Sequence, residues 1–96
     1  MQCNEVLVLL KQLLPKMCKE YDVCHLSLFG SVARNQAGSR SDIDLLVEFN
    51  KPSFDNFMDL KFFLEDTLHT KVDLVTKDAL KPQLKSFIEK ESIHVA

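Results

Sequence analysis

Apolar residues recur near the start of the chain at steps of three and four: Val6, Leu9, Leu10, Leu13, Leu14 and Met17. That spacing lines one side of a helix, predicted over Glu5–Lys19 with Asn4 as its N-cap. Pro15 falls inside the span and is expected to end or kink it. Cys24–Phe29 is short, apolar and partly alternating, and Gly30 stops it, which reads as a strand. Ser31–Gln36 fits a brief helical turn, and Asn35–Ser41, rich in Asn, Gly and Ser, a loop. Asp42–Phe49 alternates cleanly: Ile43, Leu45, Val47 and Phe49 share one face, and Asp42, Asp44, Leu46 and Glu48 the other. This is the pattern of a strand packed on one side. Asn50-Lys51-Pro52-Ser53 closes it, and Ser53 caps a second long helix, Phe54–Leu68. Val72–Val75 is a third strand and Lys77–Lys81 a connector. Pro82 suits the first turn of a last helix carrying Leu84, Phe87 and Ile88, and Ile93-His94-Val95 adds a short edge strand.

The order α-β-turn-β-α-β-α predicts an α/β (α+β) fold, a small mixed β-sheet of three to four strands flanked by helices. A length of 96 residues sets a single domain, 1–96, able to bury roughly 65% of its unfolded surface. With 46% hydrophobic and 27% charged residues and only two glycines, disorder and repeat arrays are excluded. Twelve basic against fourteen acidic residues leave a net charge of −2, and neither half of the chain is basic, so no strong nucleic-acid footprint is expected. Cys3, Cys18 and Cys24 form no C-x-x-C pair and have no histidine at zinc-ligand spacing, so reduced, mostly buried thiols in a cytoplasmic protein are expected. The first residues lack a basic region and the apolar run Val6–Leu10 is short, which argues against a secretory signal and against any membrane association.

Candidate chemistry gathers at the strand ends. Asp42 and Asp44, two apart on a strand, project from the same face. Asp73 stands at the start of the third strand as Asp44 does near the start of the second. If those strands are parallel neighbours joined by the Phe54–Leu68 helix, three carboxylates converge at one sheet end. Such close like charges call for a cation, and hard oxygen donors suit Mg²⁺ or Mn²⁺ better than zinc. Gly30 permits close approach of a phosphate, Ser31 offers an amide and a hydroxyl, and Arg34 adds a fork of donors. For these to meet the carboxylates the first two strands must be antiparallel. The result is a phosphate cradle beside a metal cradle, suited to two divalent cations and a nucleoside triphosphate.

The ordered set Leu28-Phe29-Gly30-Ser31-x-Ala33-Arg34, then Ser41-Asp42-Ile43-Asp44-Leu45-Leu46-Val47, then Val72-Asp73-Leu74-Val75 resembles the minimal nucleotidyltransferase (MNT) branch of the DNA polymerase beta superfamily. The resemblance spans Val23 to Val95 and implies a polymerase beta palm-like fold. It implies catalytic Gly30, Ser31, Arg34, Asp42, Asp44 and Asp73, with Gly30, Ser31 and Arg34 on the triphosphate and Asp42, Asp44 and Asp73 on metal. It also implies Mg²⁺ and ATP, and pairing with a HEPN-domain toxin that an MNT antitoxin silences by transferring AMP to a tyrosine. Asn35 stands where the family often has Gly, a position at which Asn tolerates positive φ.

Two other readings compete: a non-catalytic module that neutralises its partner by occlusion, and transfer to a small molecule. The second meets the difficulty that related small-molecule enzymes carry an added helical domain. On the Phe54–Leu68 wheel, Phe57, Leu60, Leu64 and Leu68 form a core stripe. Phe54, Met58 and Phe62 form a second one, either the flank of one broad buried face or a surface for a toxin subunit or second copy. His25, His69 and His94 share no spacing and read as structural or solvated. Lys77, Lys81 and Lys85 form a short basic row, read as a solvated face or a contact for RNA or triphosphate oxygens.

Overall fold

The computed structural model describes residues 3–33 and 42–95. Its elements are α1 (Cys3–Glu20), β1 (Val23–Phe29), a short α2 (Gly30–Ala33), β2 (Ile43–Phe49), α3 (Phe54–Leu68), β3 (Val72–Thr76), a 3₁₀ turn (Lys77–Ala79), α4 (Pro82–Glu91) and β4 (Ile93–His94). The strands form one mixed sheet in the order β3-β2-β1-β4. β1 runs antiparallel to both neighbours, and β2 and β3, joined through α3, run parallel.

The alternation predicted for β2 sets how the sheet is covered. Ile43, Leu45, Val47 and Phe49 are buried, together with Leu26 and Leu28 of β1 and Val72 and Leu74 of β3. Against them α1 buries Val6, Leu10 and Met17, and α3 buries Leu60, Leu64 and Leu68. Each such fully buried leucine is worth about 1.5–3 kcal/mol. Tyr21, after α1, stacks on Phe63 of α3 with ring centroids 5.2 Å apart, so the two helices lie side by side on this face.

Local chemistry fixes the joints. Ser53 Oγ accepts from the Asn56 amide at 3.1 Å and starts α3. Asp22 takes a left-handed φ of 62°, and its carboxylate accepts from the Lys51 amide at 2.7 Å and from Asn50 Nδ2 at 3.2 Å, tying the start of β1 to the end of β2. Pro15, expected to break α1, lies inside it. The carbonyl it deprives of a partner belongs to exposed Lys11, where water can serve. The cysteines also differ from expectation: none is in a disulfide, but only Cys3 is buried, Cys24 being half-buried and Cys18 exposed. Among the described residues, no helix is long and apolar enough to cross a membrane.

Candidate functional site

Three strand ends meet where the sequence places its acidic residues. Asp44 is the register partner of Phe29 on one side and of Asp73 on the other. The Asp44 and Asp73 backbones are therefore one strand spacing apart, roughly 4.8 Å. Asp42 precedes β2 by one residue, on the same side as Asp44, and is exposed, as is Asp73. The residue after Phe29 is Gly30, with φ of 77°. A Cβ on Gly30 would run into the Asp44 carboxylate, whose carbon lies 2.9 Å from the position it would take. Glycine is thus required for two reasons, a left-handed backbone and the space taken by Asp44.

Two hydrogen bonds fix these strand ends, one linking β2 to the residue before β3 and the other linking β3 to α3. The Ile43 amide donates to the Lys71 carbonyl at 3.1 Å. The Val72 amide, next to Asp73, donates to Glu65 Oε2 of α3 at 3.0 Å. Glu65 had no functional signal in the sequence. Its place between the two apolar stripes of α3 reads as a charged rim, and its role depends on where α3 crosses the sheet.

Register thus places Gly30, Asp42, Asp44 and Asp73 at one end of the sheet, with Gly30 packed on Asp44. Ser31 lies in α2, directly after Gly30. Arg34, Asn35 and the predicted loop to Ser41 lie outside the described residues. Three carboxylates on neighbouring strand ends, with no thiol or imidazole among them, are donors of the type that suits Mg²⁺ or Mn²⁺.

Beyond Asp44 the same sheet face continues into a cleft of about 330 Å³ lined by Leu46, Ser27, Glu48, His25, Lys77, Glu89, Ser92 and His94. Ser27 is buried, and its hydroxyl pairs with His94 Nδ1 at 3.2 Å. Lys77 Nζ bridges Glu48 at 3.3 Å and Glu89 at 3.6 Å, linking the end of β3 to β2 and α4. The hydrogen bond and charge of Glu48, followed by the charge of Glu89, raise the Lys77 pKa above 10.5. Lys77 therefore serves as a strut within the cleft rather than one member of a free basic row.

A nucleotidyltransferase domain model matches residues 10–95. The chain belongs to the nucleotidyltransferase domain family. A Methanocaldococcus jannaschii relative named as a protein adenylyltransferase is 47% identical over 83 residues, covering 83% of this chain and 85% of its own length. A solved minimal nucleotidyltransferase superposes with a TM-score of 0.82 at 33% identity, over 97% of this chain and 95% of that one. The fold also recurs in a Shewanella oneidensis complex of a tri-AMPylated HEPN toxin with its MNT antitoxin, with a TM-score of 0.68 and 19% identity over 94% and 71% of the two chains. Asp44 and its register partner Asp73 lie on the face of the sheet that α1 and α3 leave open.

Proposed function

We propose that this nucleotidyltransferase moves AMP from ATP to a hydroxyl, a tyrosine of a HEPN-type partner, and silences that partner as an antitoxin. The observation that carries the reading is the meeting of Gly30, Asp44 and Asp73 at one sheet end, in a chain 47% identical to a relative named as a protein adenylyltransferase. The complex of a tri-AMPylated HEPN toxin with an MNT antitoxin supports the choice of partner.

Asp42, Asp44 and Asp73 would hold two Mg²⁺ ions, which when bound offset charge on the triphosphate and on the attacking and leaving oxygens. The acceptor oxygen attacks the α-phosphorus, the bond to the pyrophosphate oxygen breaks, and the hydroxyl proton passes to Asp73. Gly30, Ser31 and Arg34 grip the β- and γ-phosphates. The packed Gly30–Asp44 pair holds the phosphate cradle against the carboxylates, which supplies orientation before any reaction begins. The outer row of α3, exposed Phe54 and Phe62 with half-buried Met58 between them, offers the partner an apolar docking surface.

Intact-mass spectrometry tests this. The partner, incubated with this protein, ATP and Mg²⁺, is expected to gain mass in AMP units, and Asp42→Asn/Asp44→Asn is expected to abolish the gain. A tight complex with no gain under any nucleoside triphosphate would instead support neutralisation by occlusion.

A further inference from the structure

We propose that Cys24, His25 and Glu48 form a second cation site, for zinc, separate from the three aspartates. Consecutive residues of a regular strand point to opposite faces, so a thiol and an imidazole side by side in β1 should be divided by the sheet. Here the β1–β2 register slips between Val23 and His25, and Cys24 and His25 together oppose Glu48. Such a bulge re-aims a side chain. Cys24 Sγ comes 3.3 Å from the Glu48 carbonyl, and His25 Nε2 lies 3.8 Å from Glu48 Oε2. One ligand atom from each residue lies within 4.8 Å of the other two.

A tetrahedral zinc ion spaces its ligands roughly 3.3–3.6 Å apart, given bonds of about 2.0–2.3 Å. Rotation of the largely exposed His25 ring and of Glu48 closes the difference. The donor chemistry separates this site from the aspartates: a thiolate and an imidazole select zinc, whereas all-carboxylate sets select magnesium. Lys77 holds Glu48 Oε1 and leaves Oε2 facing His25, so it acts as the outer-shell partner that orients the carboxylate. Three protein ligands leave a fourth position open, as in zinc sites that exchange water for a ligand. Glu48 lies four residues along β2 from Asp44, about 13 Å, so the two sites share no ligand.

The test uses Co²⁺ on the metal-stripped full chain and needs neither ATP nor acceptor, so it is read independently of the transferase reaction. One equivalent is expected to give a near-ultraviolet thiolate-to-cobalt charge-transfer band that Zn²⁺ discharges. The band is expected to survive in Cys18→Ser and in Asp42→Asn/Asp44→Asn/Asp73→Asn, and to vanish in Cys24→Ser. Since Cys24 is half-buried, far-ultraviolet circular dichroism checks that Cys24→Ser folds. His25→Ala, at an exposed position, gives an independent readout and should weaken Co²⁺ binding by about tenfold or more. Absence of the band, its persistence in a folded Cys24→Ser, its loss in Cys18→Ser, or unchanged affinity in His25→Ala would overturn the proposal.

Discussion

Gly30 and His69 both adopt left-handed backbone, φ of 77° and 54°, and should respond to substitution in opposite ways. At Gly30 a methyl meets the Asp44 carboxylate as well as the wrong backbone region. Gly30→Ala is expected to lower stability by about 1–3 kcal/mol in urea denaturation. Because it pushes on Asp44, which is proposed to hold metal, nucleotidyl transfer should fall by about a hundredfold. His69 is an exposed C-cap of α3 where left-handed geometry only ends the helix. His69→Gly relieves that strain and should raise stability by about 1 kcal/mol, read as a higher Tm, with transfer unchanged.

At the scale of elements, two contacts hold the strand ends in place. Glu65 of α3 accepts the Val72 amide beside Asp73. Glu65→Ala orphans the amide of buried Val72 and is expected to cost about 1–3 kcal/mol. Its functional effect should be a lower kcat for transfer with little change in the KM for ATP. Lys77 ties β3 to β2 and α4, and its pKa is raised by the hydrogen bond and charge of Glu48 and the charge of Glu89. A group whose pKa is raised on folding contributes stability that is full below the unfolded value and lost above it. Wild type should therefore lose urea resistance as pH climbs past 10.5, and Lys77→Met should lose less over the same interval. The sheet itself was legible in the chain, because the alternation of Ile43 to Phe49 fixes a one-sided strand and Gly30 marks where β1 must end. The antiparallel and parallel pairings followed from requiring Gly30, Asp44 and Asp73 to meet. The β1 bulge and the roles of Glu65 and Lys77 were not legible. Each depends on register between segments far apart in sequence, which hydrophobic period does not encode. Pro15 misled for a related reason: whether a lost helical hydrogen bond matters depends on the exposure of the carbonyl it leaves behind.

For the molecule as a whole, the decisive asymmetry is that α1 and α3 cover one sheet face while the opposite face carries the aspartates and the cleft. α3 satisfies the sheet with Leu60, Leu64 and Leu68, and its other apolar row faces outward: Phe54 is 77% and Phe62 58% exposed, with Met58 half-buried between them. Of the two sequence-based alternatives for that row, the structure favours an outer surface. α4 offers a rival patch, since it buries none of its residues and exposes Leu84 and Phe87. The aromatic row is the better candidate for the partner, because two phenylalanines and a methionine one turn apart are of the types enriched at interface cores. Placing a charge there at Phe62→Glu changes a side chain with little part in the core, so the monomer should keep its circular dichroism and its Co²⁺ response. Affinity for the partner should fall by about thirtyfold or more, equivalent to about 2 kcal/mol, in calorimetric titration. AMP transfer to the partner should fall with it. If affinity instead survives Phe62→Glu and collapses in Leu84→Glu/Phe87→Glu, the partner sits on α4. Its acceptor would then approach from the helix that Lys77 ties to the cleft rather than from behind the sheet.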